Sequence, residues 1–178
     1  MHCLIETERL VMRPWADADI PALIPLIGTR EVAATTLRIP HPYTHDDAVA
    51  FLRHCREIDE EGHGARLAVL LREGQTLCGG IGLVAAPQHQ HAELGYWLGV
   101  PYWGKGYATE AARAVVEYGF RELKLHRIFA SHVPNNPASG RVLQKIGMAH
   151  EGRFRDHILK WGKFYDLEMY GMVRDLSL

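Results

Sequence analysis

The 178-residue chain is poor in cysteine: Cys3, Cys55 and Cys78 are odd in number and widely spaced. That pattern gives no disulfide framework and no metal or redox pairing, so free thiols in a reducing cytoplasm are expected. Charge of one sign is lacking too. Against 21 aspartates and glutamates stand 20 lysines and arginines, a net charge of −1 with neutral histidines, which offers no basic surface to nucleic acid. No apolar run is long enough to span a bilayer, and the N-terminus has no leader pattern. Repeats, linkers, low-complexity stretches and any composition shift are absent. Residues 1–178 therefore read as one domain, large enough for a full hydrophobic core.

The phosphate-binding fingerprints of nucleotide proteins are missing as well. There is no G-x-x-x-x-G-K-S/T, because Lys105 lies between its glycines, and no G-x-G-x-x-G followed by an acidic residue. What is present instead is Tyr102-Trp103-Gly104-Lys105-Gly106-Tyr107-Ala108-Thr109. Before it, Ala92–Val100 alternates and is aromatic-rich, a strand; after it, Ala108, Ala111, Ala112, Val115, Val116, Gly119 and Phe120 recur at helical spacing. A glycine-rich turn from strand to helix points backbone N–H groups at one spot, with the positive end of the helix dipole behind them. The expected ligand is a phosphate or pyrophosphate; the alternative is a tight connection that binds nothing.

Around this turn the rest of the chain falls into order. Arg9–Arg13 reads as a first strand. Asp17 or Asp19 could cap a short helix with the face Ile20, Leu23, Ile24 and Ile27, limited by Pro21 and Pro25. Thr44-x-x-Asp47 is close to a capping box for a second helix with the face Ala48, Phe51, Leu52, Cys55 and Ile58, which Gly62 ends. Leu67–Leu71 and Leu77–Val84 are strands, the second carrying Gly79-Gly80-x-Gly82, where a bulge or a close approach is expected. Arg127–Val133 is a strand, Ala138–Ile146 a helix, and Gly152–Lys160 pairs with Phe164–Val173 as a hairpin through Trp161-Gly162-Lys163. His89 and His91 form an H-x-H pair without a third ligand at metal spacing, so no metal is expected. The fold class is α/β (α+β): a mixed, largely antiparallel sheet flanked by helices.

Trp103-Gly104-Lys105-Gly106-Tyr107-Ala108 resembles the Q/R-x-x-G-x-G/A signature of the GNAT acetyltransferase superfamily, with Trp103 at the first position. "GYWLGVPYWGKGYATEA" followed by "NNPASGRVLQKIGM" is similar, more narrowly, to the RimJ/RimL group of ribosomal-protein N-terminal acetyltransferases. The resemblance runs from about Glu6 to Val173. It implies a central seven-stranded sheet with about four helices, and a gap between the strands before the glycine turn and before Asn136 that admits the coenzyme arm. It implies acetyl-CoA as donor and transfer to a primary amine. The acceptor would be a protein N-terminal α-amine or a small-molecule amine, in a cytoplasmic monomer or homodimer without nucleic acid or membrane. A coenzyme-binding module without catalysis and a nucleotide-binding protein are the competing classes.

Carried onto this sequence, the resemblance places the pyrophosphate on the amides of Gly104, Lys105, Gly106, Tyr107, Ala108 and Thr109. The coenzyme arm then pairs with a strand edge at Trp97, Leu98, Gly99 and Val100. It places an oxyanion-holding N–H near Leu98 or Gly99, Asn136 on the arm, and Ser139 as proton donor. Strand alternation puts Glu93, Gly95, Trp97 and Gly99 on one face, which makes Glu93 the candidate base, acting through water; a surface ion pair is the alternative. Asp166 and Glu168 are rival bases, and Tyr165 and Tyr170 rival acids. Ser139 and Asn136 could equally be a helix-start hydroxyl and a turn residue. Lys105, Arg141 and Lys145 could meet coenzyme phosphates, and Trp15, Trp97 and Trp161 could wall the acceptor site. An α-amine titrates near pH 7.7–8.0 and a lysine near 10.4, so roughly a hundredfold more of the former is neutral at cellular pH, which favours a peptide N-terminus.

Overall fold

The computed structural model describes residues 3–62 and 64–174. Strands β1 (Ile5–Glu6) and β2 (Leu10–Pro14) lead into helices α1 (Ile20–Ile27), α2 (Arg30–Thr35) and α3 (His45–Glu60). Strands β3 (Gly64–Leu71), β4 (Leu77–Ala86) and β5 (His91–Leu98) follow, then α4 (Tyr107–Arg121), β6 (Arg127–His132), α5 (Pro137–Lys145), β7 (Ala149–Lys160) and β8 (Lys163–Val173). The strands form one sheet in the order β1-β2-β3-β4-β5-β6-β8-β7. Every neighbouring pair is antiparallel except β5 and β6.

Among the described residues, eight strands and five helices replace the expected seven and about four. β1 is two residues long, too short to show a period. α2 has six residues, started by Thr29, whose hydroxyl accepts from the Val32 N–H. The box at Thr44 forms as read: its hydroxyl accepts from the Asp47 N–H, and the Asp47 carboxylate accepts from the Thr44 N–H at 2.8 Å. Asp19 stands before α1 without capping it. Its carboxylate accepts instead from the Arg13 guanidinium at 2.7 and 2.8 Å and from the Ala16 N–H at 2.9 Å.

Two cores lie on opposite faces of the sheet. Leu10, Met12, Leu67, Val69, Leu83, Leu94 and Ile128 pack on Ala111, Ala112 and Val115 of α4 and Leu143 of α5. On the other face Ala68, Leu70 and Trp15 meet Leu23, Ile27, Val32 and Leu52 of α1–α3. The glycines of β4 allow close approach on that second face. A Cβ on Gly80 would come within 2.7 Å of the Trp97 indole and 2.9 Å of Trp15, and one on Gly82 within 3.0 Å of Arg66.

What positions the site is the parting of β5 and β6. They pair only at His91–Glu93 with Arg127–Phe129, although β5 runs on to Leu98 and β6 to His132. Beyond Glu93 the two strands separate, the splay that the resemblance implied.

Candidate active site

The wedge between the parted strands is floored by one edge of β5. The Gly99 N–H donates to the Cys78 carbonyl at 2.9 Å, next to the Gly79–Leu98 pair of the ladder. Antiparallel ladders alternate, so Leu94, Tyr96 and Leu98 turn their N–H and C=O groups away from β4 and into the wedge. The open edge therefore runs through Leu94, Tyr96 and Leu98, and of the expected Trp97–Val100 stretch only Leu98 lies on it. Gly99 is buried and its N–H is taken. Val100 opens a short turn, Val100–Tyr102, that carries it out to the surface. Of the two expected oxyanion donors only the Leu98 N–H faces the wedge. The Leu98 carbonyl is held by the Trp103 indole N–H at 2.7 Å.

At the end of this edge the chain turns through Gly104 (φ +73) and Gly106 (φ +83) into α4. A residue with a Cβ would pay about 1–2 kcal/mol for such a left-handed backbone. Among the described residues, no bond inside the chain is made by the N–H groups from Gly104 to Thr109; the Glu110 N–H is the next to donate, to the Gly106 carbonyl at 3.1 Å. Helix α4 also has no side-chain cap. Open donors at the positive end of a helix form a cradle that could hold an anion. Arg9 braces the turn: it donates to the Lys105 carbonyl at 3.1 Å and pairs with Glu110 at 2.6 Å. Burial works to raise the Glu110 carboxyl, but bonds from Thr7 and Arg9 outweigh it and hold the group below its usual range.

A cavity of about 650 Å³ runs from the cradle along the β5 edge to α2 and α3. Gly104, Gly106, Tyr107, Ala108 and Thr109 line it, with Trp97, Leu98, Asn136, Ser139, Arg141 and Lys145. Lys105, Gly99 and Val100 do not. A second cavity of about 310 Å³ lies against Phe129, Phe154 and Leu167. Glu93 and Arg38 line both, so they stand at the junction. The Arg38 guanidinium donates to one Glu93 oxygen at 2.9 Å.

On the opposite wall the Ser139 hydroxyl lies 2.8 Å from that of Tyr96. Burial pushes the Tyr96 phenol up to about 12, with the Ser139 contact pulling the other way. Asn136 caps α5, accepting from the Ser139 N–H at 3.2 Å, and its amide nitrogen donates to the Thr35 carbonyl at 3.0 Å. That leaves one amide hydrogen for a ligand.

The rivals fall away from the cavities. Asp166 bonds the Arg153 guanidinium and the Asp156 N–H, each at 2.7 Å, and Glu168 bonds His150 at 2.7 Å. Tyr170 is buried against His132 with ring centroids 5.6 Å apart, and Tyr165 faces Lys163. Trp15 and Trp97 stack at 6.4 Å and line the larger cavity. Trp161 does not: it sits half-exposed on the β7–β8 turn with φ +51, its ring beside His41, Arg30 and Lys160. The His89 and His91 rings are 5.5 Å apart, and among the described residues no group of three metal-ligating side chains occurs. The three cysteines are buried. No described helix is long and apolar enough to cross a membrane.

Tyr96, Arg9, Arg38 and Arg66 escaped the sequence reading. Tyr96 has the alternation of a core residue, and the arginines reach the site from strands and loops distant in sequence.

Residues 9–149 match the family described as an acetyltransferase (GNAT) domain. An uncharacterized N-acetyltransferase, YnaD, of Bacillus subtilis is 35% identical over 176 residues, 98% of each chain. The solved acetyltransferase (GNAT family) from Bacillus anthracis is 31% identical, with a TM-score of 0.85 over 96% of this chain and 98% of that one. Over a shorter stretch of 73 residues, 41% of this chain and 38% of the other, the ribosomal protein uS5-alanine N-acetyltransferase of Escherichia coli is 38% identical. The chain belongs to the GNAT acetyltransferase family, as an acetyl-CoA-dependent acyltransferase.

Proposed function

We propose that this chain, as one domain spanning residues 1–178, acetylates a primary α-amine, of the ribosomal-protein N-terminal kind, by direct attack in a ternary complex. The observation that carries this reading is the open run of N–H groups from Gly104 to Thr109 at the head of an unpaired strand edge. The cradle takes the diphosphate of acetyl-CoA, with Arg141 and Lys145 lining the same cavity. The amide-bearing arm of the coenzyme adds to the β5 edge as an extra strand, bringing the thioester toward Leu98.

The amine nitrogen then attacks the thioester carbonyl carbon. A C–N bond forms, and the carbonyl oxygen becomes anionic against the Leu98 N–H. On collapse the C–S bond breaks and sulfur leaves with its electron pair. Glu93 accepts the amine proton, directly or through one water, at the junction of the two cavities. The Ser139 hydroxyl, itself hydrogen-bonded to Tyr96, gives the departing sulfur a proton and regains one from solvent, to which Glu93 releases the amine proton. The similarity to the uS5 enzyme and the low pKa of α-amines support an N-terminal acceptor. A small-molecule amine is the second reading, favoured by the polar lining that Arg38, Arg66 and Glu93 give the larger cavity.

A mass-spectrometric screen with acetyl-CoA tests this. The panel holds peptides with free N-termini, amino acids, polyamines and amino sugars. Acetylation of an α-amine is expected; acetylation confined to lysine ε-amines or polyamines contradicts it.

A further inference from the structure

The larger cavity contains a cation that the transfer reaction leaves without work. Arg66 rises from β3 on the face shared with Glu93 and passes over Gly82, where a Cβ would meet its Cα and Cγ at 3.0 Å. Gly82 pairs with Gly95 on β5, and a Cβ on Gly95 would meet nothing within 4 Å. Two bare glycines therefore leave an open trough from Arg66 to the strand of Glu93.

Arg66 is half-buried and makes no ion pair with any described carboxylate; its close polar neighbour is the Cys55 thiol. Burial, with Arg38 adding to it, depresses its pKa more than Cys55 and the Glu93 carboxylate raise it. Of the carboxylates lining this cavity, Glu93 is bonded to Arg38, and Asp47 is committed to the N–H and hydroxyl of Thr44. Tyr43, which also lines the cavity, has a buried hydroxyl without a partner. Arg66, whose guanidinium is a fork of N–H donors, and the unanswered Tyr43 hydroxyl line one cavity, a pairing that suits a bidentate anion.

We propose that Arg66 binds an anionic group carried by the acceptor, so that the acceptor class is an amine with a carboxylate close to it. This rests on the acetyl-transfer reading above. The carboxylate has two sources: the side chain of an acidic residue at the head of a peptide, or the α-carboxylate of a free amino acid.

The test uses two matched pairs of acceptors with the full-length protein and acetyl-CoA: a tripeptide amide beginning with Glu against one beginning with Gln, and free alanine against alaninamide. The anionic member of one pair is expected to lead in kcat/KM by about tenfold or more, about 1.4 kcal/mol. Which pair shows the lead identifies the source. The preference should collapse in Arg66→Gln; if that variant does not fold, Arg66→Lys, which keeps the charge but loses the fork, should cut it several-fold. Neutral members that do as well, or a preference that survives Arg66→Gln or stays whole in Arg66→Lys, overturn the proposal while leaving acetyl transfer standing. If no member is turned over, calorimetric titration of the same four probes onto the CoA-loaded protein decides: tighter binding of an anionic member, lost in the Arg66 variant, supports the subsite, and its absence overturns it. Failure of the wider amine screen, by contrast, sinks the transfer reading itself.

Discussion

The Tyr96 hydroxyl meets the Ser139 hydroxyl at 2.8 Å across the mouth of the wedge, joining the β5 edge to the first turn of α5. With its phenol pushed up to about 12, Tyr96 keeps its proton near neutral pH. Tyr96→Phe and Ser139→Ala should each lower kcat by about 10- to 100-fold, with coenzyme affinity little changed. The double variant should be scarcely worse than either single one, because groups acting as a unit are not additive. Steady-state kinetics beside calorimetry check this; full kcat in both single variants would remove the pair from the proton path.

Glu93 is the base in this account, steadied by Arg38. Glu93→Gln should cut kcat/KM by about 10²–10⁴-fold near neutral pH. The deficit should shrink as pH rises past the acceptor's pKa, because the amine then loses its proton unaided. A pH–rate profile from acid to alkaline separates this from a binding role, for which the deficit would be the same at every pH.

Gly106 holds φ +83 at the head of α4. Gly106→Ala should cost about 1–2 kcal/mol of stability from backbone strain alone and weaken CoA binding. Gly106→Trp should abolish that binding by filling the cradle. Thermal unfolding and calorimetry read the two effects apart. Wild-type affinity in Gly106→Trp would show the coenzyme lying elsewhere.

Away from the chemistry, Asp19 is buried beside Arg13. Burial would raise its carboxyl, but the Arg13 guanidinium and the Ala16 N–H outweigh that and hold it below the usual range. A depressed carboxylate stabilises the fold fully above its unfolded pKa of about 3.9 and loses that contribution as pH falls through the lower folded value. Asp19→Asn should cost about 1–3 kcal/mol at neutral pH and flatten stability below about pH 4, where wild type declines. Denaturant unfolding across that range checks the sign; parallel curves for the two proteins would contradict it.

The elements with strong local chemistry were legible in the sequence. The Thr44–Asp47 box, the amphipathic α3 and the glycine turn before α4 each carry their signal within a few residues. β1 and α2 did not, being shorter than the periods that reveal strands and helices. The strand's end at Leu98 was missed because Gly99-Val100 continues its apolar run; a hydrogen bond to Cys78, twenty-odd residues upstream, decides which edge stays open. In the site, the backbone cradle follows from glycine spacing. Tyr96, Arg38 and Arg66 acquire meaning only when the sheet register sets them beside Ser139, Glu93 and Gly82, which no local pattern encodes.

The most direct measurement is the amide ¹H–¹⁵N spectrum of the protein titrated with acetyl-CoA. Main-chain signals of Gly104 to Thr109 should move most and gain protection from exchange, with Leu94, Tyr96 and Leu98 following as the arm adds to β5. Unmoved signals in that turn, with the large shifts elsewhere in the sheet, would contradict the account.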